Sequence, residues 1–466
     1  MGTILSYKVL SVTVNIEEGE VPIYKVEEPL LTQEEKDILD SMLRKFYVDT
    51  TVLDFNHLIK YFSEYDLNQD SYEKILYYIK KKFLYGNLTI PILDPEVEEI
   101  ECRGYGYPVT LVHRRIERYP RILTNIIPRS EEEVINSIEN LANKSDKSIS
   151  LAKPYLEFSL PEGHRVAATV SKEISLPGST FDIRKFPFSP ISPISMLRNN
   201  VFTPLFFAYI WFLLEFKPFL MVIGPTGTGK TTFLNALLGV TNPLYKIVTI
   251  EDTPEINLNK DNWVRLFSRT TLQSSYDVSL FELSKLALRY RPDYLVIGEV
   301  RGKEIEALVH ASASGHGSMA TFHAGTPREA ITRISSLLTP EMAKLFLQNL
   351  WGVIVLGSRK GKDGINKRVV VSFYETSVSK KVKFRKVFSW SNEKESLIPI
   401  SSENLIRVSH RLDFISRTYG ISADEIKSEI GRREKLLHEL LTNNITSSEE
   451  VSLHVKKFYL SGYNVK

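Results

Sequence analysis

Residues 219–239 read FLMVI, then GPTGTGKTT, then FLNALLG. An apolar run of strand character runs into three glycines, a lysine and two threonines, and a helix-like run follows. Gly224 to Thr231 match GxxxxGK followed by Ser or Thr, and the flanks are those the motif needs. Glycines let the backbone close around an anion, and consecutive N–H groups converge on it as donors. The helix that begins near Lys230 points its positive dipole end at the same spot. Gly224, Thr226, Gly227, Thr228, Gly229 and Thr232 therefore read as the wall of a phosphate cradle for ATP. Lys230 reaches the β and γ phosphates, and Thr231 is a ligand for Mg²⁺.

Such a cradle needs an acidic partner on a neighbouring strand. DYLVIGEV at 293–300 supplies Glu299 at its C-terminal end, where open α/β sheets gather their ligands. The residue before it is Gly298, where an aspartate is usual, so Glu299 reads as the carboxylate for Mg²⁺, partly through water. A second acidic group, IEDTPEI at 250–256, carries Glu251, Asp252 and Glu255. Three carboxylates this close raise one another's proton affinity unless a cation is near, and one of them could position the attacking water. GHGSMATFHAGTPREA places His316 and His323 on either side of a strand-like piece, as candidates to sense a γ-phosphate. Their spacing fits no common zinc pattern.

The bulk numbers are consistent with several domains. A chain of 466 residues exceeds one ordinary core, and 43% apolar with 25% charged residues is an everyday globular composition. The net charge of +3 is small against 59 basic and 56 acidic residues, so no nucleic-acid partner is expected. Cys102 is the sole cysteine, which excludes an intrachain disulfide. MGTILSYKVLSVTVNIEEGE has no secretory pattern. LFFAYIWFLL at 205–214 falls short of the about 20 residues a spanning helix needs and reads as a buried helix.

Four stretches are expected. Residues 1–93 mix strand (YKVLSVTVNI) and helix (TQEEKDILDSMLRKF, SYEKILYYIKKKFL), with Thr32 and Glu35 spaced as a capping box. Residues 94–200 read as an α/β domain with a hairpin in LEFSLPEGHRVAATVS, closed by FPFSPISPIS at 187–196 as a stiff linker. Residues 201–402 alternate strand and helix, which argues for a mostly parallel sheet covered by helices, with a late hairpin from GVIVLGSR to KRVVVSFYET. Residues 403–466 form a helical extension.

Taken together, IGPTGTGKTT, TIEDTPEI, LALRYRPDYLVIGEVRGKEIEAL and GHGSMATFHAGTPREAITRI resemble the four motifs of the secretion ATPase superfamily. That family drives type II and type IV secretion, type IV pili and the archaellum, and the wording is similar to its archaeal branch. The resemblance implies a RecA-like P-loop NTPase domain preceded by an N-terminal α/β domain, in a ring of six. It implies that Glu255 is the catalytic glutamate and that Arg165 and Arg184 of the N-terminal domain face the γ-phosphate. Arg289, Arg291 and Arg301 bracket the Glu299 strand as candidates to act across a subunit boundary.

The function expected is an ATP-hydrolysing motor at the cytoplasmic face of the membrane, pushing on a polytopic platform protein and moving a pilin-like or exported protein indirectly. A nucleic-acid translocase would need basic and aromatic pore loops, of which the balanced composition gives little sign. A nucleotide-gated scaffold would not need the full set of candidate acids.

Overall fold

The computed structural model describes residues 2–48, 62, 64–65, 67–116, 118–186, 190–269, 277–361, 366–378, 382–399 and 402–461. They form two compact units, Met1–Phe188 and Ser189–Lys466.

The first unit is built on a nine-stranded sheet: β1 (Thr3–Val9), β2 (Val12–Glu17), β3 (Ile23–Glu27), β4 (Val97–Cys102), β5 (Thr110–His113), β6 (Ile122–Thr124), β7 (Tyr155–Ser159), β8 (Arg165–Thr169) and β9 (Thr180–Arg184). Their order is β1-β2-β3-β6-β5-β4-β9-β8-β7. YKVLSVTVNI is a hairpin rather than one strand, because Leu10 turns the chain at φ 55°. The expected break near residue 93 is bridged: β3 pairs in parallel with β6, so the first strands and those after Asp94 share one sheet and one core. Parallel pairing over nearly a hundred residues leaves no local signal in composition. The Thr32 capping box forms in both directions, at 2.7 and 3.2 Å.

The second unit carries β10 (Phe219–Ile223), β11 (Ile247–Glu251), β12 (Trp263–Phe267), β13 (Tyr294–Ile297), β14 (Gly317–Phe322), β15 (Leu350–Lys360), β16 (Asn366–Val378), β17 (Val382–Ser391) and β18 (Ser396–Ile398). The order is β12-β11-β13-β14-β10-β15-β16-β17-β18. From β12 through β15 every pairing is parallel, and from β15 onward every pairing is antiparallel. β10, β11, β13 and β14 are buried on both faces, which is why FLMVI and YLVI read as unbroken apolar runs. This is the mixed α/β, RecA-like architecture expected.

Two sequence readings change in this unit. The expected linker continues into structure: Pro193–Arg198 is a short helix, capped by Ser192 with Pro193 in its first turn, where a missing N–H costs nothing. The helical extension is also not separate. Helix Ala423–Thr442 packs on helix Pro204–Leu214, and its Arg433, with no exposed surface, is paired to Glu215 at 3.0 Å and Glu429 at 2.9 Å. Helix Pro204–Leu214 is buried all round, as LFFAYIWFLL suggested.

Candidate functional site

The loop after β10 is built for close approach. A Cβ on Gly224 would lie 2.7 Å from the Leu356 carbonyl oxygen and 2.7 Å from Thr228 Oγ1, so only glycine fits there. Gly227 and Gly229 sit at φ 74° and 83°, the left-handed region, and Gly229 caps helix Lys230–Gly239. Thr228 Oγ1 donates to the Pro225 carbonyl at 2.8 Å, which folds the loop on itself. Lys230 is almost fully buried, and its ammonium donates to the Pro225 carbonyl at 3.0 Å. Thr231 and Thr232 follow, half-buried, on the first turn of the helix.

Glu299 does not stand on the neighbouring strand. β14 lies between β10 and β13, so the acid strand is one place further from the cradle than expected. That insertion has a consequence: His323, the residue directly after β14, falls between the two. His323 Nδ1 is 3.2 Å from Lys230 Nζ and 3.4 Å from Thr226 Oγ1, and His323 Nε2 is 3.0 Å from Glu299 Oε1. Lysine can only donate, so Nδ1 accepts and Nε2–H donates to the carboxylate. Burial and the Lys230 charge lower the proton affinity of His323, against the pull of Glu299, which favours this neutral form.

The acids of IEDTPEI separate into three roles of place. Asp252 is held outside the cradle by Arg301 at 3.2 Å and by the Ser268 hydroxyl. Glu251 is turned inward and is 3% exposed. Glu255 accepts the Thr231 hydroxyl at 2.8 Å, beside the phosphate loop. Asn235, on the helix that leaves the cradle, donates to the Glu255 carbonyl at 3.3 Å and accepts the Asn257 N–H at 3.4 Å, tying that loop down. Sequence reasoning missed Asn235, whose signal is a lone amide in an otherwise apolar helix face.

Burial pushes the Glu251 carboxyl from its ordinary 4.5 to about 7, with the Glu255 charge adding and two backbone N–H groups opposing. The unfolded chain loses this proton near 4.5 and the folded chain near 7. Stability present at low pH is therefore withdrawn as the pH rises between those values. Glu251→Gln cannot ionise, so its stability relative to wild type should rise from about pH 5 to about pH 8. Urea unfolding of both proteins at the two pH values checks this, and an unchanged difference contradicts it.

Of the remaining candidates, Arg301 belongs to the site, donating to Glu299 at 2.8 Å as well as to Asp252. Arg289 and Arg291 precede β13 and lie at its opposite end from Glu299 of the same chain. His316 stands apart from His323. It precedes the six residues of β14 while His323 follows them, so the two stand about 20 Å apart at opposite sheet edges. Arg165 and Arg184 lie in the first unit, directly opposite each other on β8 and β9, with Arg165 paired to Glu157.

The donors suit a magnesium nucleotide. The Thr231 hydroxyl and the Glu299 carboxylate are hard oxygen donors, and among the described residues no cluster of three or more His, Cys, Asp or Glu forms a dedicated metal cage. Mg²⁺ is ordinarily held that way, by one or two protein oxygens plus phosphates and water.

Residues 133–355 match the family model described as type II/IV secretion system protein. An archaeal relative, the uncharacterized protein MJ0900 of Methanocaldococcus jannaschii, is 31% identical over 397 residues, which is 84% of this chain and 70% of that one. This chain belongs to the type II/IV secretion system protein family, the secretion ATPase superfamily. A bacterial relative, type IV secretion system protein PtlH of Bordetella pertussis, is 29% identical over 262 residues, 49% of this chain and 77% of that one. The ATPase DotB of Legionella pneumophila aligns in structure with a TM-score of 0.45 at 16% identity, over 82% of this chain and 97% of that one.

Proposed function

We propose that this family member hydrolyses ATP with Mg²⁺ and, as a ring of six at the cytoplasmic face of the membrane, powers assembly of a type IV pilus-like filament or protein export. The observation that carries the enzymatic part is the convergence of Lys230, Thr231, Glu255, Glu299 and His323 at the C-terminal edge of the parallel strands. Bound Mg·ATP would supply the γ-phosphate and a cation to polarise it.

The chain's own groups then divide the work. The Gly224–Thr231 loop and Lys230 hold the phosphates, and Thr231 and Glu299 govern the metal. Glu255 orients the attacking water and takes its proton. His323, bridging Lys230 to Glu299, couples the cradle to the acid strand, and Arg301 fixes Glu299 from the other side. A motor also needs something to push on. Among the described residues no helix is long and apolar enough to cross a membrane, so the platform is proposed as a separate membrane protein.

The test is steady-state ATPase activity of the purified full chain with magnesium, alone and with membranes carrying a candidate polytopic platform protein. The expected result is magnesium-dependent turnover that rises with those membranes and is indifferent to single-stranded DNA. Turnover stimulated by DNA in a salt-sensitive way would transfer the reading to nucleic-acid translocation. Binding without turnover would leave a nucleotide-gated scaffold.

A further inference from the structure

We propose that Glu251 is a positioning residue for hydrolysis: its buried carboxylate sets the aim of Glu255, and position 298 is glycine because that carboxylate needs the space. This rests on the site being an ATPase centre, as proposed above.

Glu251 closes β11, and a single oxygen, Oε1, accepts the backbone N–H of Glu255 at 2.9 Å and of Ile256 at 2.8 Å. The turn from Asp252 to Ile256 is thereby drawn around the end of one buried side chain, and Glu255 is delivered to Thr231. No helix or strand could hold those residues there, because the turn contains Pro254 and lies outside any regular element. The second oxygen, Oε2, is buried and has no hydrogen-bond partner among the described residues. An acid kept inside at such a disadvantage, pushed up to about 7, is a poor choice for stability alone.

The same side chain packs beside the residue that precedes the other acid. A Cβ on residue 298 would stand 2.9 Å from Glu251 Cγ and 3.3 Å from its Oε1. The opposite constraint comes from Thr321, whose hydroxyl donates to the Gly298 carbonyl at 2.6 Å. The peptide that carries Glu299 is thus seated between β14 and Glu251. This is a physical account of the glycine–glutamate pair, where an aspartate at 298 would collide with Glu251. One buried carboxylate so places two acids whose positions in the chain are 44 residues apart, by hydrogen bonding to Glu255 and by packing on the residue before Glu299.

The roles of neighbours define the test. The hydrogen bonds of Glu251 run to the Glu255 and Ile256 N–H groups, so its loss should reduce turnover without weakening nucleotide binding. Expected for Glu251→Ala is kcat lower by about 100-fold, with KM for ATP and affinity for a fluorescent ADP analogue within about 3-fold of wild type. Glu251→Gln keeps a carbonyl acceptor at Oε1 and should recover kcat to within about 5-fold. Because Glu251 acts through Glu255, adding Glu251→Ala to Glu255→Gln should cost less than about 3-fold more. Gly298→Ala should lower kcat with binding retained, and it carries the test if Glu251→Ala fails to fold.

The proposal is overturned if Glu251→Ala and Gly298→Ala turn over like wild type, or if the double variant loses the product of the two single effects. It is overturned equally if KM and ADP affinity worsen as much as kcat does. An inactive wild-type protein would instead remove the ATPase reading itself, and this inference with it.

Discussion

Lys230→Ala is expected to lower kcat/KM for ATP by at least about 10³-fold and to weaken nucleotide binding along with it. The two losses go together because the ammonium would face the β and γ phosphates both before and during bond breaking, so it binds ground state and transition state alike. Among its contacts are a carbonyl of the loop at 3.0 Å and His323 at 3.2 Å, which fix the ammonium at the loop. Lys230→Arg should not restore activity, since a planar guanidinium cannot fill a buried slot shaped for a compact ammonium. Folding should survive both changes. The loop's shape depends on Gly224, Gly227, Gly229 and the Thr228 bond to Pro225, and the helix is anchored by Phe233, Leu234 and Leu237 in the core. ATPase assays with a fluorescent ADP titration and a thermal melt on each variant check all three statements. A Lys230→Ala protein that hydrolyses ATP normally would remove the cradle from the mechanism.

Much of this site was legible in the chain before any fold was known, and the parts that were not share a cause. The phosphate loop is local: eight consecutive residues carry both its conformation and its chemistry, so the motif and its flanks were sufficient. Glu299 was legible as a strand-end acid, but its strand order was not. Nothing in DYLVIGEV says that SMATFHA inserts between it and FLMVIG, and that insertion is what makes His323 a bridge. His316 and His323 flank one strand in the sequence, and the six strand residues between them carry the chain from one end of the sheet to the other, so His323 stands beside Lys230 and His316 at the far end. The three acids of IEDTPEI looked equivalent because the sequence does not record which way each side chain turns. In the fold one is sealed inside, one is tied to Arg301 and one faces Thr231. In the first unit the pairing of β3 with β6 joined residues that composition had divided. Contacts between distant residues, rather than local propensity, account for each of these gaps.

Glu255→Gln should separate binding from chemistry, with kcat lower by about 10² to 10⁴-fold while ATP and ADP bind as before. The amide is nearly isosteric and its carbonyl can still accept the Thr231 hydroxyl, now at 2.8 Å from the carboxylate, so the mouth of the cradle keeps its shape. What disappears is a group able to take a proton from water. Removing the charge also lifts one of the influences that raise Glu251, whose proton affinity should fall in the variant. Glu299→Gln provides the contrast. Its amide oxygen can still accept from His323, but the charge opposite Arg301 and any bound cation is lost. It should slow turnover and raise the magnesium concentration needed for half-maximal rate, whereas Glu255→Gln should leave that concentration unchanged. Rates measured across a magnesium titration therefore assign the two acids independently. If both variants shift the magnesium requirement equally, Glu255 is a metal-site residue and the proton must go elsewhere. If Glu255→Gln turns over at the wild-type rate, the water is oriented by some other group, and the hydrogen bond from Thr231 is merely a cap on the loop.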